Sequence, residues 1–297
     1  MTKELRYSAI LLLTAFIWGI GFVAQRAAMD HMGPFTFNAV RFGLGALALI
    51  PVIMIMEKGF DRATVKAGLI VGVILFFAAA LQQWGIAATG SAAKSGFITG
   101  LYIILTPILG IFFGRNTHKF VWLGAILATF GIYFIANPGT LGFDLGVVAL
   151  LACAVVWAIH ILAIGHYAAS IKPLGFTSMQ CAICAIFSTF AAFVFEDVQF
   201  AQITAGYIPI LYSGLVSVFI AYTLQVVAQR HVAPAKSAVI FSMESVFGAG
   251  GEALILGAFL DVRGYIGGIL IFAGIIVSQL VSFGRKMNGK YHSEADK

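Results

Sequence analysis

The chain repeats itself at half its length. Leu81-Gln82-Gln83-Trp84-Gly85, running on to Ala93-Lys94-Ser95, returns as Leu224-Gln225-Val226-Val227-Ala228, running on to Ala235-Lys236-Ser237. Trp122-Leu123-Gly124-Ala125-Ile126-Leu127 and Gly131-Ile132 return as Tyr265-Ile266-Gly267-Gly268-Ile269-Leu270 and Gly274-Ile275. Trp18 and Pro34 recur at the same spacing as Trp157 and Pro173. Matches that keep one offset of roughly 140 residues, in one order along the chain, mark duplication of a half-chain unit. The fold must therefore be two similar units, divided here as residues 1–138 and 139–297.

What each unit can be follows from its solvent. Of 297 residues 61% are apolar and 10% charged, against about 25% charged in a soluble domain. Apolar stretches long enough to cross roughly 30 Å of hydrocarbon run over residues 7–25, 34–56, 65–87, 93–114, 120–136, 144–164, 174–195, 206–228, 236–257 and 264–283. The expectation is an all-α membrane protein of ten transmembrane helices, five per repeat, the fifth being the shortest. Segments such as Gly68 to Ala80 are apolar on every side, which a water-facing helix is not. Lys3 and Arg6 before an apolar run imitate a signal peptide, but the run is long and holds Trp18 and Gly21, so it reads as a retained first helix. Cys153, Cys181 and Cys184 all fall inside predicted helices; they read as small packing residues rather than disulfides or metal ligands.

Ten crossings make the connections alternate between faces, which divides the basic residues. One face receives Lys3, Arg6, Lys58, Arg62, Lys66, Arg115, Lys119, Lys172, Arg230, Lys236, Arg285, Lys286, Lys290 and Lys297, fourteen of the eighteen Lys and Arg. Arg26, Lys94 and Arg263 fall on the other, and Arg41 lies within the second helix. This bias puts both termini in the cytoplasm, in a cell (inner) membrane. The net charge of +6 then reports topology, and no nucleic-acid partner is expected. Because five is odd, the second unit enters the membrane with opposite polarity. Two inverted repeats are the architecture of a carrier that opens a shared site to each side in turn.

The chain resembles the ten-helix, EamA-type branch of the drug/metabolite transporter superfamily. The resemblance rests on Ile17-Trp18-Gly19, Asn38-Ala39-Val40-Arg41-Phe42, Gly96-Phe97-Ile98-Thr99-Gly100-Leu101-Tyr102 with Thr106-Pro107, and Pro234-Ala235-Lys236-Ser237 with Glu244-Ser245-Val246-Phe247. It implies a polytopic inner-membrane carrier, often an exporter of amino acids or related metabolites, with its site between the halves. Two departures stand out: Ser245 where the family commonly has proline, and Leu256-Gly257-Ala258 where it often reads Leu-Gly-Glu.

Polar groups at membrane depth cost several kcal/mol unless paired or hydrated, so they are the functional candidates. Glu244 lies eight residues past Lys236, about 12 Å into the membrane by helical rise, and is the first candidate for binding a proton or an amine. Glu252, a further eight residues on, suits a rim or structural role. Arg41 can bind a substrate carboxylate, pair with a glutamate, or snorkel; the structural pairing is favoured. His160 replaces Gly21 in the repeat register, Gln180 replaces Arg41, and Glu244 replaces Tyr102. Gln82, Gln83 and Gln225 can bridge helices or bind a polar solute. Trp18, Trp157, Trp84, Tyr102 and Tyr222 can supply an aromatic pocket for an organic solute or an ammonium. Gly96/Gly100, Gly110/Gly114 and Gly264/Gly268 are spaced for close helix contact, and Pro107 frees a carbonyl inside the fourth helix.

No Gly-x-Ser-x-Gly, His-Glu-x-x-His or Walker loop is present, so neither an enzyme nor ATP-driven transport is expected, and no cofactor or metal. The reading is a secondary transporter of small organic metabolites such as amino acids or amines. It would work as an exporter or facilitator by alternating access, with protons, the solute and the lipid bilayer as partners. A non-transporting ligand or lipid sensor and an intramembrane enzyme are the alternatives, and oligomeric state is left open.

Overall fold

The computed structural model describes residues 3–90, 92–136, 145–256 and 261–295, and the regular structure among them is helical throughout. Ten membrane helices follow in order: α1 (Lys3–Ala28), α2 (Pro34–Met56), α3 (Arg62–Thr89), α4 (Ala92–Gly100 and Tyr102–Phe112), α5 (Lys119–Ala136), α6 (Leu145–Tyr167), α7 (Pro173–Phe195), α8 (Tyr207–Leu211, Tyr212–Tyr222 and Thr223–Gln229 end to end), α9 (Pro234–Phe241 and Met243–Leu256) and α10 (Val262–Ala295). A short helix, Phe200–Ala205, leads into α8. Among the described residues eight helices carry an apolar window of 18 residues, while α5 and α10 offer the shorter apolar stretches Lys119–Phe134 and Val262–Ser278. The predicted segments match these helices closely at most ends. The exceptions are α1, which starts four residues early at Lys3, α3, which Asp61 starts early by accepting the Thr64 N–H at 2.8 Å, and α10, which continues past residue 283 to Ala295. That same hydrogen bond holds the Asp61 carboxyl below the usual carboxylate range. Gly257 and Ala258, one of the two departures from the family pattern, lie outside the described residues.

The two units do not sit side by side. α5 packs chiefly on α10, α2 on α7, α3 on α6 and α7, and α1 on α9 and α8, so each helix finds its main neighbour in the other unit. This pattern maps onto itself when the units are exchanged, as an approximate twofold relation requires.

Two interactions display that relation atom by atom. At one face the Glu57 carboxylate, just past the end of α2, accepts the Leu174 and Gly175 N–H groups of α7 at 2.9 and 2.8 Å. At the opposite face the Glu196 carboxylate, just past α7, accepts the Phe35 and Thr36 N–H groups of α2 at 2.7 and 2.8 Å and the Thr36 hydroxyl at 2.6 Å. Donors and acceptors are each 139 residues apart in the sequence. Each carboxylate satisfies N–H groups that the first turn of a helix leaves unpaired, at the positive end of its dipole. The two clasps differ at Thr36, whose hydroxyl bond has no equivalent at Gly175, and at residue 33: a Cβ on Gly33 would stand 2.2 Å from the Glu196 carboxyl carbon, whereas its counterpart Lys172 sends Nζ to the carbonyls of Glu57 and Gly59 at 2.8 and 3.2 Å.

The second interaction is the crossing of α5 and α10. A Cβ on Gly124 would lie 2.5 Å from the Gly274 carbonyl oxygen, and one on Gly274 would lie 2.6 Å from that of Gly124. Gly131 meets the Gly267 carbonyl at 2.5 Å in the same way. The backbones therefore touch at glycines spaced seven apart, not at the four-residue pairs that the sequence suggested. Of those pairs Gly100 does meet a neighbour closely, a Cβ there standing 2.9 Å from Ile132 Cδ1 of α5, whereas Gly96, Gly110 and Gly268 meet nothing closer than 3.7 Å, and Gly114 (φ 68°) ends α4 in a left-handed conformation. Close approach lets two short apolar helices gain dispersion contact that longer side chains would prevent. Cys153, Cys181 and Cys184 are buried free thiols.

Two outcomes follow for the protein in detergent. Glu57→Ala and Glu196→Ala each lose two or three charge-assisted bonds, and each is expected to cost about 1–3 kcal/mol in an unfolding measurement; an unchanged melting temperature would contradict the capping role. Gly124→Ala and Gly274→Ala each force the helices apart and are expected to destabilise by about 1–3 kcal/mol, while Gly96→Ala, which has space, stays near the parent.

Candidate functional site

Both α4 and α9 are interrupted halfway, at Leu101 and Ser242, within one residue of equivalent positions in the two units. Leu101 closes a tight turn with its N–H on the Ile98 carbonyl at 3.2 Å, and Ser245 N–H reaches the Ser242 carbonyl at 3.2 Å. The break in α4 lies six residues before Pro107, so the proline does not mark it. Discontinuous helices at membrane depth are tolerated where they line a cavity or are buried in protein. These two bring Tyr102, the first residue past the break at Leu101, and Glu244, the second past the break at Ser242, to the approximate axis. The Tyr102 hydroxyl donates to Glu244 Oε1 at 2.8 Å, and both residues are buried. Gly19 lets α1 approach closely enough to support that turn; a Cβ there would stand 2.7 Å from the Glu244 carbonyl oxygen.

The bond lies at the wall of a cavity of about 40 Å³ between the units. Its lining is largely a set of equivalent pairs: Trp18 and Trp157, Phe22 and Ile161, Gln82 and Gln225, Thr99 and Phe241, Tyr102 and Glu244. Arg41, Tyr222, Gln25 and Ser217 complete it. Trp18 packs edge-on against Tyr222 at 5.1 Å between ring centroids and tilted against Phe241 at 5.2 Å. Its Nε1 donates to the Ser217 carbonyl at 3.4 Å, within a wide-turned stretch of α8 over Tyr212–Tyr222. Such π-type turns recur at functional sites.

The structure gathers eight of the ten sequence candidates around this cavity: Glu244, Arg41, Trp18, Trp157, Tyr102, Gln82, Gln225 and Tyr222. His160 stands just behind it, its ring 5.2 Å from Trp157 and 6.3 Å from Tyr222, and Nε2 bonded to Gln180 Oε1 at 3.0 Å. Two residues changed between repeats thus hold each other. Trp84 does not belong: it is 40% exposed on the outer side of α3. The helical period is the reason, since residues 82, 83 and 86 share the inner side and 84 points away. Gln83 ties two helices together through the Gln25 carbonyl at 3.2 Å. Arg41 has no glutamate partner among the described residues; Nε donates to Asn38 at 3.0 Å and the guanidinium lies over Phe37 and Phe42 at 5.0 and 4.7 Å. Its terminal nitrogens make no hydrogen bond among the described residues.

Sequence reasoning missed Phe22, Gln25, Thr99, Ile161, Ser217 and Phe241. Phe22 and Ile161 carried a signal, each four residues past a tryptophan of the Trp18/Trp157 pair. Ser217 carried none, because the wide turns of α8 are not legible in its apolar sequence.

The wall is chemically unsatisfied. Gln25 Oε1, Thr99 Oγ1, Trp157 Nε1 and both amide atoms of Gln225 are buried without a hydrogen-bond partner among the described residues. Unpaired donors and acceptors of this kind cost about 1–3 kcal/mol each, which a bound polar solute or water would recover. A cation, an acid and free amide atoms among aromatic rings suit a small molecule with polar ends and an apolar body.

Comparison with known proteins agrees with this architecture. The profile of the EamA-like transporter family matches twice, over residues 6–137 and 144–280. An uncharacterized transporter of Archaeoglobus fulgidus is 32% identical over 280 residues, covering 94% of this chain and 87% of that one. The uncharacterized transporter YoaV of Bacillus subtilis is 20% identical over 285 residues, covering 93% and 98%. A crystal structure with 18% sequence identity aligns over 93% of this chain and 96% of its own with a TM-score of 0.78, a likeness of fold. The chain belongs to the EamA-like transporter family, as a multi-pass membrane transporter with two EamA domains.

Proposed function

We propose that this transporter is a secondary carrier of a small organic metabolite, of the amino-acid or amine class, that works by alternating access with both termini in the cytoplasm. The observation that carries the reading is the Tyr102–Glu244 bond at the approximate axis, beside a cavity with an Arg41 guanidinium and partnerless amide atoms. A group on the axis faces either side equally when the two units exchange conformations. Glu244 is then the group that takes up a proton or a substrate ammonium, and Arg41 meets a substrate carboxylate. Trp18, Trp157 and Tyr222 cover the apolar body and offer ring faces to a cation. The basic residues support the orientation, fourteen of eighteen lying on the face that carries the chain ends.

The volume of about 40 Å³ holds only a few waters, at roughly 10–15 Å³ each. Loading therefore requires α4 and α9 to separate from α1 and α6, at their interruptions.

The deciding measurement is uptake of a panel of amino acids and amines into proteoliposomes, with and without a pH gradient. Glu244→Gln is expected to abolish the response to the gradient, and undiminished gradient-driven uptake in that variant would remove the proton role. Arg41→Gln is expected to weaken solutes bearing a carboxylate by about tenfold to a hundredfold, in line with loss of a charge-assisted bond, and to spare amines that lack one. Equal loss for both classes would assign Arg41 to structure alone.

A further inference from the structure

We propose that a lateral groove between α3, α4 and α6, on the face that carries the chain ends, seats an anionic phospholipid. Its tail would lie along Ile70, Ile74 and Leu162, and its phosphate at Arg115 and His166.

The groove has a volume of about 400 Å³, ten times that of the central cavity. α6 separates the two, turning Trp157 and Ile161 to the central cavity and Leu162 with Ala163 to the groove. Its chemistry is graded along the membrane normal. Arg115 follows the left-handed Gly114 that ends α4, and His166 and Tyr167 close α6. Ile70 and Ile74 lie eight and twelve residues inside α3, about 12 and 18 Å from its start by helical rise. Polar groups therefore gather at the surface end, and hydrocarbon lines the rest.

The groove opens sideways. Ile70 is 43% exposed on its wall, at a depth where only lipid can reach it, so the occupant comes from the bilayer. At the mouth, the Arg115 side chain makes no ion pair or hydrogen bond among the described residues, and His166 is exposed. Uncompensated basic groups above an apolar slot complement a headgroup phosphate on a hydrocarbon tail, as in other basic pockets between membrane helices. Free phosphate would use the mouth and leave the apolar slot without purpose.

The test uses the full chain, delipidated in detergent, with phosphatidylglycerol, phosphatidylcholine of the same tails and inorganic phosphate as probes. Binding is read by native mass spectrometry and by the shift in melting temperature. Phosphatidylglycerol is expected to bind and stabilise more than phosphatidylcholine, and phosphate to do neither. Arg115→Gln is expected to weaken phosphatidylglycerol about tenfold and phosphatidylcholine, whose choline already offsets its phosphate, by less, so that the preference is lost. Ala163→Phe, which fills the slot, is expected to reduce binding of both lipids, and Ile70→Trp on the exposed wall repeats that test if the first variant folds poorly. Equal binding of the two lipids, retention of the preference in Arg115→Gln, stabilisation by phosphate equal to that by lipid, or indifference to both slot-filling variants would each overturn the proposal.

Discussion

Two antiparallel copies of one unit can bury their inner faces only against each other, and the rest of this fold depends on that constraint. No helix here has its main neighbour within its own unit. The exchange is fastened where electrostatics and shape are strongest: a carboxylate on the N-terminus of the facing helix at each membrane face, and bare backbone against bare backbone where α5 crosses α10. Between these fastenings the units are free to be unequal, and apart from the matched Gln82 and Gln225 the polar residues that line the centre are drawn from that inequality.

Much of this was legible in the chain. The apolar runs gave ten helices because lipid leaves a spanning segment little alternative to a helix. The offset between Trp18 and Trp157, continued through Gln82 and Gln225 to Tyr102 and Glu244, anticipated which side chains face one another across the axis. A duplicated sequence writes each wall position twice, so agreement between copies carries information that a single helix would not.

The remainder was hidden for physical reasons. Trp84 is as aromatic as Trp18, and only the helical phase relative to Gln82 sends it outward. The capping carboxylates, Glu57 and Glu196, looked like ordinary loop residues because their partners are backbone N–H groups, which no side chain announces. The spacing of touching glycines reflects the crossing of α5 and α10 rather than a local motif. Breaks at Leu101 and Ser242 carry no proline to announce them, while the visible signal, Pro107, sits in unbroken helix.

The smallness of the central cavity bears on the cell's energy supply. A carrier that exchanges faces with an open, flooded centre would drag a column of water with each empty stroke and give protons a path along it. Here the walls, aromatic and polar together, close to a space for a few water molecules. On the proposed alternating-access cycle, an empty stroke would then carry little water with it, and the membrane potential would be spared a leak through the centre.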